Sequence, residues 1–179
     1  MRRLLLSAFA IAICTLSGSA GYERAGSDTG GWREIAWPYP RDGWPAGRAF
    51  RCENESCGEE VELYVRPKIG FCNCDTGVAD DDEVDRVADL DLISERFVPL
   101  EAGRVTRIAD MAGRSRAYTL TMSDGSPHSA IGIAVSHRCD LLVAVAQGRG
   151  EARDVRRAAL AFLASGEMSG WMKVAMGGG

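Results

Sequence analysis

Histidine is scarce in this chain, with two residues, His128 and His137, among 179. The sequence also contains no Gly-x-Ser-x-Gly elbow, no phosphate-binding glycine loop and no dinucleotide fingerprint. The usual hydrolase constellations need a histidine placed beside a nucleophile, and nothing in the sequence arranges one. We therefore predict a protein without enzymatic activity and assign no catalytic residue.

An excess of positive charge is also absent. Lysine and arginine total 21 against 25 acidic residues, for a formal net charge of −4. Proteins that bind nucleic acid normally concentrate basic residues on one face or along one helix. This composition excludes a nucleic-acid partner.

Long apolar runs are missing too, because the apolar run near the N-terminus is short. Arg2 and Arg3 precede an apolar run from Leu4 to Leu16, and small residues follow up to Ala20. The run is too short to span a bilayer, and the arrangement is typical of a secretory signal peptide. We predict a Sec-type leader over residues 1–20, cleavage after Ala20, and a periplasmic or secreted mature protein with no stable membrane span.

The remaining chain is long enough for one domain with its own core. A glycine-rich and proline-punctuated segment, residues 21–46, is predicted to be flexible or irregular, and residues 47–176 to form a single α+β domain. Alternating apolar residues predict an antiparallel sheet built from hairpins, and helical periodicity predicts two main helices packed on one face. The predicted strands are 47–52, 59–66, 104–111, 115–122, 129–135 and 141–146, and the predicted helices are 80–93 and 153–165.

Five of the six cysteines follow the predicted leader: Cys52, Cys57, Cys72, Cys74 and Cys139. In an oxidising compartment, clustered cysteines are disulfides by default. The turn at 53–56 places Cys52 and Cys57 opposite each other at the end of a hairpin, and Cys72 or Cys74 with Cys139 would tie this hairpin to the later strands. An odd number leaves one thiol over, and the sequence alone does not choose the pairing.

Two other interpretations of these cysteines remain open. Cys52, Cys57, Cys72 and Cys74, with His137 or His128 as a nitrogen ligand, could form a metal site for copper or zinc. The pair Cys72 and Cys74 could instead carry out thiol–disulfide exchange, although the acidic residues nearby would raise the thiol pKa. The disulfide interpretation needs no cofactor, and we expect none.

The acidic run Asp80, Asp81 and Asp82 is predicted to open a helix, where carboxylates complement the positive end of the helix dipole. The run lacks the ligand order of a calcium-binding loop.

One resemblance concerns the middle third of the chain. The segments Arg48–Cys52, Leu63–Cys74 and Thr76–Asp80 resemble a set of exported proteobacterial proteins with no assigned activity. The resemblance implies a bacterial cell-envelope protein and contributes no catalytic residue. We predict an accessory protein that binds a protein partner or a small ligand in the cell envelope.

Overall fold

The computed structural model of the protein describes residues 30–40, 42–53, 55–70 and 73–177. The predicted leader lies outside these residues. The strands are β1 (Trp32–Ile35), β2 (Arg48–Cys52), β3 (Val61–Lys68), β4 (Phe97–Pro99), β5 (Arg104–Ile108), β6 (Met111–Thr121), β7 (Pro127–His137) and β8 (Asp140–Gly148). The helices are α1 (Asp81–Val87), α2 (Leu90–Ile93), α3 (Ala152–Leu163) and α4 (Gly166–Ala175), and a 3₁₀ turn covers Glu55–Cys57.

In the described part of the chain, the eight strands form one antiparallel sheet, in the order β1-β2-β3-β8-β7-β6-β4. β5 pairs with the first half of β6, on the same edge that β4 occupies further along. The α+β class, the antiparallel sheet and the stabilising disulfides are therefore confirmed.

The two faces of the sheet are covered by different helices. Ile131, Ile133 and Val135 of β7 join a core with α3 and α4, whereas Ala130 and Ala134 join a second core with α1 and α2. This alternation follows from the two-residue period of a strand, and a strand buried on both faces reads as a continuous apolar run. Burial of each large side chain contributes about 1.5–3 kcal/mol, so both cores stabilise the sheet.

Helix packing agrees with the sequence prediction in one respect and differs in another. The two longest helices do lie on one face, but they are α3 and α4. The helix predicted over 80–93 lies on the opposite face and is broken into α1 and α2 at Asp89, which adopts a left-handed backbone with φ of 57°. The acidic opening of that helix is confirmed, because the Asp80 side chain accepts a hydrogen bond from the Glu83 backbone N–H at 2.9 Å.

Several strand boundaries also differ. β5 and β6 turn at Ala109 and Asp110 instead of the predicted 112–114, and β6 starts at Met111. β3 continues through Pro67 to Lys68, because β2 pairs only as far as Val65 and a missing N–H is tolerated where a neighbouring strand has ended. β1 joins the sheet from within the segment predicted to be irregular.

Two disulfides are present. Cys52 pairs with Cys57 across a Cα–Cα distance of 6.3 Å, which confirms the hairpin-end bridge. Cys74 pairs with Cys139, so the long-range bridge uses the second of the two candidate cysteines. Cys72 lies outside the described residues.

Across the described residues, no helix is both long enough and apolar enough to cross a membrane.

Candidate ligand-binding site

A polar cavity opens where β3 begins and β8 ends. Its volume is about 430 Å³. The register of β3 and β8 places Glu62 directly opposite Gln147, and β7 brings His128 beside them on the face that carries α1. α1 and α2 cover the apolar part of that face, and these polar side chains lie at its end, where Gln147 is buried and Glu62 and His128 are partly exposed. The cavity is lined by Glu59, Glu60, Glu62, His128, Gln147, Gly148 and Arg149.

Gln147 connects the carboxylate to the imidazole. Its side-chain Nε2 donates to Glu62 Oε2 at 2.8 Å, and its Oε1 lies 2.5 Å from His128 Nδ1. Because a carboxylate can only accept, the amide nitrogen must face Glu62, and the amide oxygen is left to accept from His128. This assignment makes Nδ1 of His128 the donor in the bond to Gln147.

The Glu62 carboxylate has two further donors. Arg51 Nε donates to Oε1 at 2.9 Å, and the Tyr64 hydroxyl donates to Oε2. Burial alone would raise the pKa of Glu62, but the hydrogen bonds from Tyr64, Arg51 and Gln147 outweigh it and hold the pKa below its ordinary value. The side chain is 14% exposed, so the cavity contains an ionised carboxylate fixed in orientation.

Two tyrosines support this carboxylate. Burial, and then the hydrogen bond to Glu62, raises the pKa of Tyr64, and burial raises the pKa of Tyr39 to about 12. Their rings meet edge to face at 4.9 Å, and Trp37 meets Tyr64 in the same way at 6.1 Å. Both hydroxyls therefore stay protonated at neutral pH, and the Tyr64 hydroxyl donates to Glu62.

A buried ionic cluster positions the segment that carries Trp37 and Tyr39. Arg66 donates to Asp42 at 2.7 and 2.8 Å and to Asp89 at 2.7 Å. Lys68 donates to Asp89 at 2.6 Å and to the Val87 carbonyl at 2.9 Å, at the break between α1 and α2. Every charge in this cluster has a partner, so we interpret it as structural.

The structure separates most of the residues that the sequence suggested for chemistry. Cys52, Cys57, Cys74 and Cys139 are in disulfides, and a disulfide sulfur offers no thiolate to a metal or to exchange. A copper or zinc site at these cysteines would require reduction of the protein. Among the described residues, no group of three or more histidine, cysteine or acidic side chains is arranged to hold a metal ion.

The two histidines lie at opposite ends of β7. His137 lines a small apolar cavity of about 210 Å³ together with Met111, Met172 and Met176. His128, which the sequence suggested only as an additional nitrogen ligand, is the histidine that belongs to the polar cavity.

Sequence reasoning missed the association of Glu62, Gln147 and His128. In the sequence, Glu62 is one of the polar residues that alternate with apolar ones, and Gln147 directly follows an apolar run. They lie 85 positions apart, and only the pairing of β3 with β8 brings them together. The available signal was Gln147, a polar residue at the end of a strand that is buried on both faces.

Comparisons with known proteins give little further information. No family model matches the chain, and no curated protein matches it. Among solved structures, the chain is similar to the crystal structure of PA94, a protein of unknown function from Pseudomonas aeruginosa. The identity is 12%, the match covers 81% of this chain and 94% of that chain, and the TM-score is 0.41. Nothing about function follows from a likeness at this level.

Proposed function

We propose that this chain is an exported accessory protein of the bacterial cell envelope, without enzymatic activity, that binds a small polar ligand at Glu62. The observation that carries the proposal is the ionised Glu62 carboxylate, fixed by four hydrogen bonds from three residues at the wall of an open cavity. The periplasmic location rests on the predicted leader, and the two disulfides are compatible with an oxidising compartment.

The charges around the cavity favour a cationic ligand. Glu59, Glu60 and Glu62 contribute three carboxylates. The positive charges are Arg149 in the lining and Arg51, which pairs with Glu62 and lies 3.8 Å from Glu60, so an excess of one negative charge remains. A ligand with a primary amine or a guanidinium could donate to the exposed carboxylates of Glu59 and Glu60. We therefore expect an amine-bearing or guanidinium-bearing small molecule.

The same geometry favours binding over catalysis. A general base needs a pKa near the working pH, whereas the hydrogen bonds to Glu62 lower its pKa. The raised pKa values of Tyr39 and Tyr64 keep their hydroxyls from acting as bases. These groups can orient a ligand but are poorly matched to proton transfer at neutral pH.

The test is isothermal titration of the mature protein with L-arginine and with putrescine. We expect saturable binding of at least one probe and a loss of about tenfold or more in Glu62→Gln, which removes a negative charge from the cavity wall while keeping the side-chain shape. Glu95→Gln is the matched control, because Glu95 is exposed and lies outside the cavity lining. Equal binding by Glu62→Gln and the wild type, or no saturable binding of either probe by the wild type, would contradict the proposal.

A further inference from the structure

A second groove lies on the opposite face of the sheet, between the first turns of α3 and the connection from β4 to β5. The Leu100 backbone N–H donates to the Ala117 carbonyl at 2.9 Å, which holds the connection over the outer part of β6. Ala117 belongs to the core that α3 covers. The groove encloses about 430 Å³ and is lined by Leu100, Glu101, Arg104, Ala117, Glu151, Ala152, Arg153 and Arg156.

Three arginines line this groove, and two of them already bind a carboxylate. Arg104 Nη2 donates to the two Glu101 oxygens at 3.1 and 3.3 Å, and Arg156 Nη1 donates to Oε1 at 3.0 Å. The hydrogen bonds from Arg156 and Arg104 hold the pKa of Glu101 below its ordinary value. An oxyanion therefore fits between these guanidinium groups, because the protein's own carboxylate occupies that position.

The Arg156 guanidinium is incompletely satisfied. Its Nε and Nη2 are buried and have no hydrogen-bond partner. Within the described residues, no other buried side-chain nitrogen or oxygen lacks a partner. A buried charged donor without an acceptor is costly, and such a group needs an explanation. Nε and Nη2 together form the edge of arginine that matches a carboxylate or phosphate through two parallel hydrogen bonds.

We propose that this groove is an oxyanion-binding site, formed by Arg104, Arg153 and Arg156, in which Glu101 acts as an internal occupant that a ligand displaces. The unpartnered edge of Arg156 is closed to water in this structure. To reach a ligand in the groove, the guanidinium must therefore rotate about the last side-chain torsion angles. An oxyanion that supplies two acceptors makes that turn favourable. The ligand carries a carboxylate or phosphate group. The site is independent of the proposed site for a cationic ligand at Glu62.

The experiment uses inorganic phosphate and glutarate as probes and follows arginine Nε–Hε resonances by NMR. Arg104, Arg153 and Arg156 report in the wild type, and Arg104 and Arg153 report in the Arg156 variants. We expect saturable shifts that weaken as ionic strength rises, because salt screens the attraction between a dissolved oxyanion and the arginines that line an open groove. Glu101→Gln should bind severalfold more tightly than the wild type, since it removes the competing carboxylate. Arg156→Gln should lose about tenfold in affinity, and Arg156→Lys should lose nearly as much because it keeps the charge but lacks the planar fork.

The controls separate binding from folding. Arg86→Gln removes an arginine from α1, on the other face, and should leave both affinities unchanged. Circular dichroism melts of all variants would show that each is folded. Shifts with phosphate, with glutarate or with both support the site and identify the source of the oxyanion. The proposal is overturned if Glu101→Gln shows no saturable binding of either probe, or if both Arg156 variants bind as tightly as the wild type.

Discussion

At the residue scale, buried charge is the most distinctive feature of the α1 face. Arg66 and Lys68 are almost fully buried on β3, where a period of two would predict apolar or half-exposed residues. Burial of a charge is tolerated only when it is paired and hydrogen-bonded. Asp89 satisfies both cations at once, and this explains why the chain breaks its helix at that residue.

Replacement of Asp89 by asparagine should therefore be strongly destabilising. Asparagine tolerates the left-handed backbone of this position, so the change removes the charge without adding backbone strain. Loss of one partner from a buried ionic pair typically costs about 3–5 kcal/mol, and we expect an effect of that order in urea unfolding. Asp91→Asn, at an exposed position on α2, is the control and should have little effect. Equal urea midpoints for Asp89→Asn and the wild type would contradict the structural role of the cluster.

At the element scale, the sequence predicted the strands with strong alternation and the two long periodic segments. It missed β4 and β1, because a strand of three or four residues has too few positions to show a period. It also missed α4, since a glycine directly after an apolar helix is typical of a helix end. In the structure, Gly166 begins the next helix, and the Ser165 side chain accepts a hydrogen bond from the Met168 backbone N–H.

The candidate site was less predictable than the strands that carry it. Glu62, Gln147 and His128 belong to three different strands, and sequence periodicity states which face a residue occupies but not which residue it opposes. The prediction that the cysteines form structural disulfides is confirmed for four of them. Their local clustering gave no information about the cavity.

The start of α4 provides a test at this scale. Ser165→Ala removes the acceptor for the Met168 backbone N–H and should lower the free energy of unfolding by about 1 kcal/mol. Ser169→Ala, inside the same helix, replaces serine by a better helix former and should be neutral or slightly stabilising. Urea denaturation of the two variants compares the cap with the helix interior. A smaller loss in Ser165→Ala than in Ser169→Ala would contradict the assignment of Ser165 as the N-cap.

At the scale of the whole molecule, the two disulfides constrain the chain very differently. Cys52 and Cys57 are five positions apart and close one hairpin end, whereas Cys74 and Cys139 are 65 positions apart. The second bridge joins the loop before α1 to the β7–β8 turn, so it connects the early and late halves of the sheet. Its effect on the unfolded chain must therefore be larger, because a longer closed loop removes more conformational entropy.

The loop-entropy relation gives a stabilisation of about 4 kcal/mol for Cys74–Cys139 and about 2 kcal/mol for Cys52–Cys57. To isolate each bridge, one variant carries Cys52→Ala and Cys57→Ala, and the other carries Cys74→Ala and Cys139→Ala, both in a Cys72→Ser background. The free energy of unfolding of each variant is measured in urea with and without reductant. The difference gives the contribution of the remaining disulfide alone, because any cavity left by the alanines is present in both conditions. We expect the larger loss on reduction in the variant that retains Cys74–Cys139. The reverse order would mean that native-state packing around Cys52 and Cys57, both buried in the core, outweighs chain entropy in this protein.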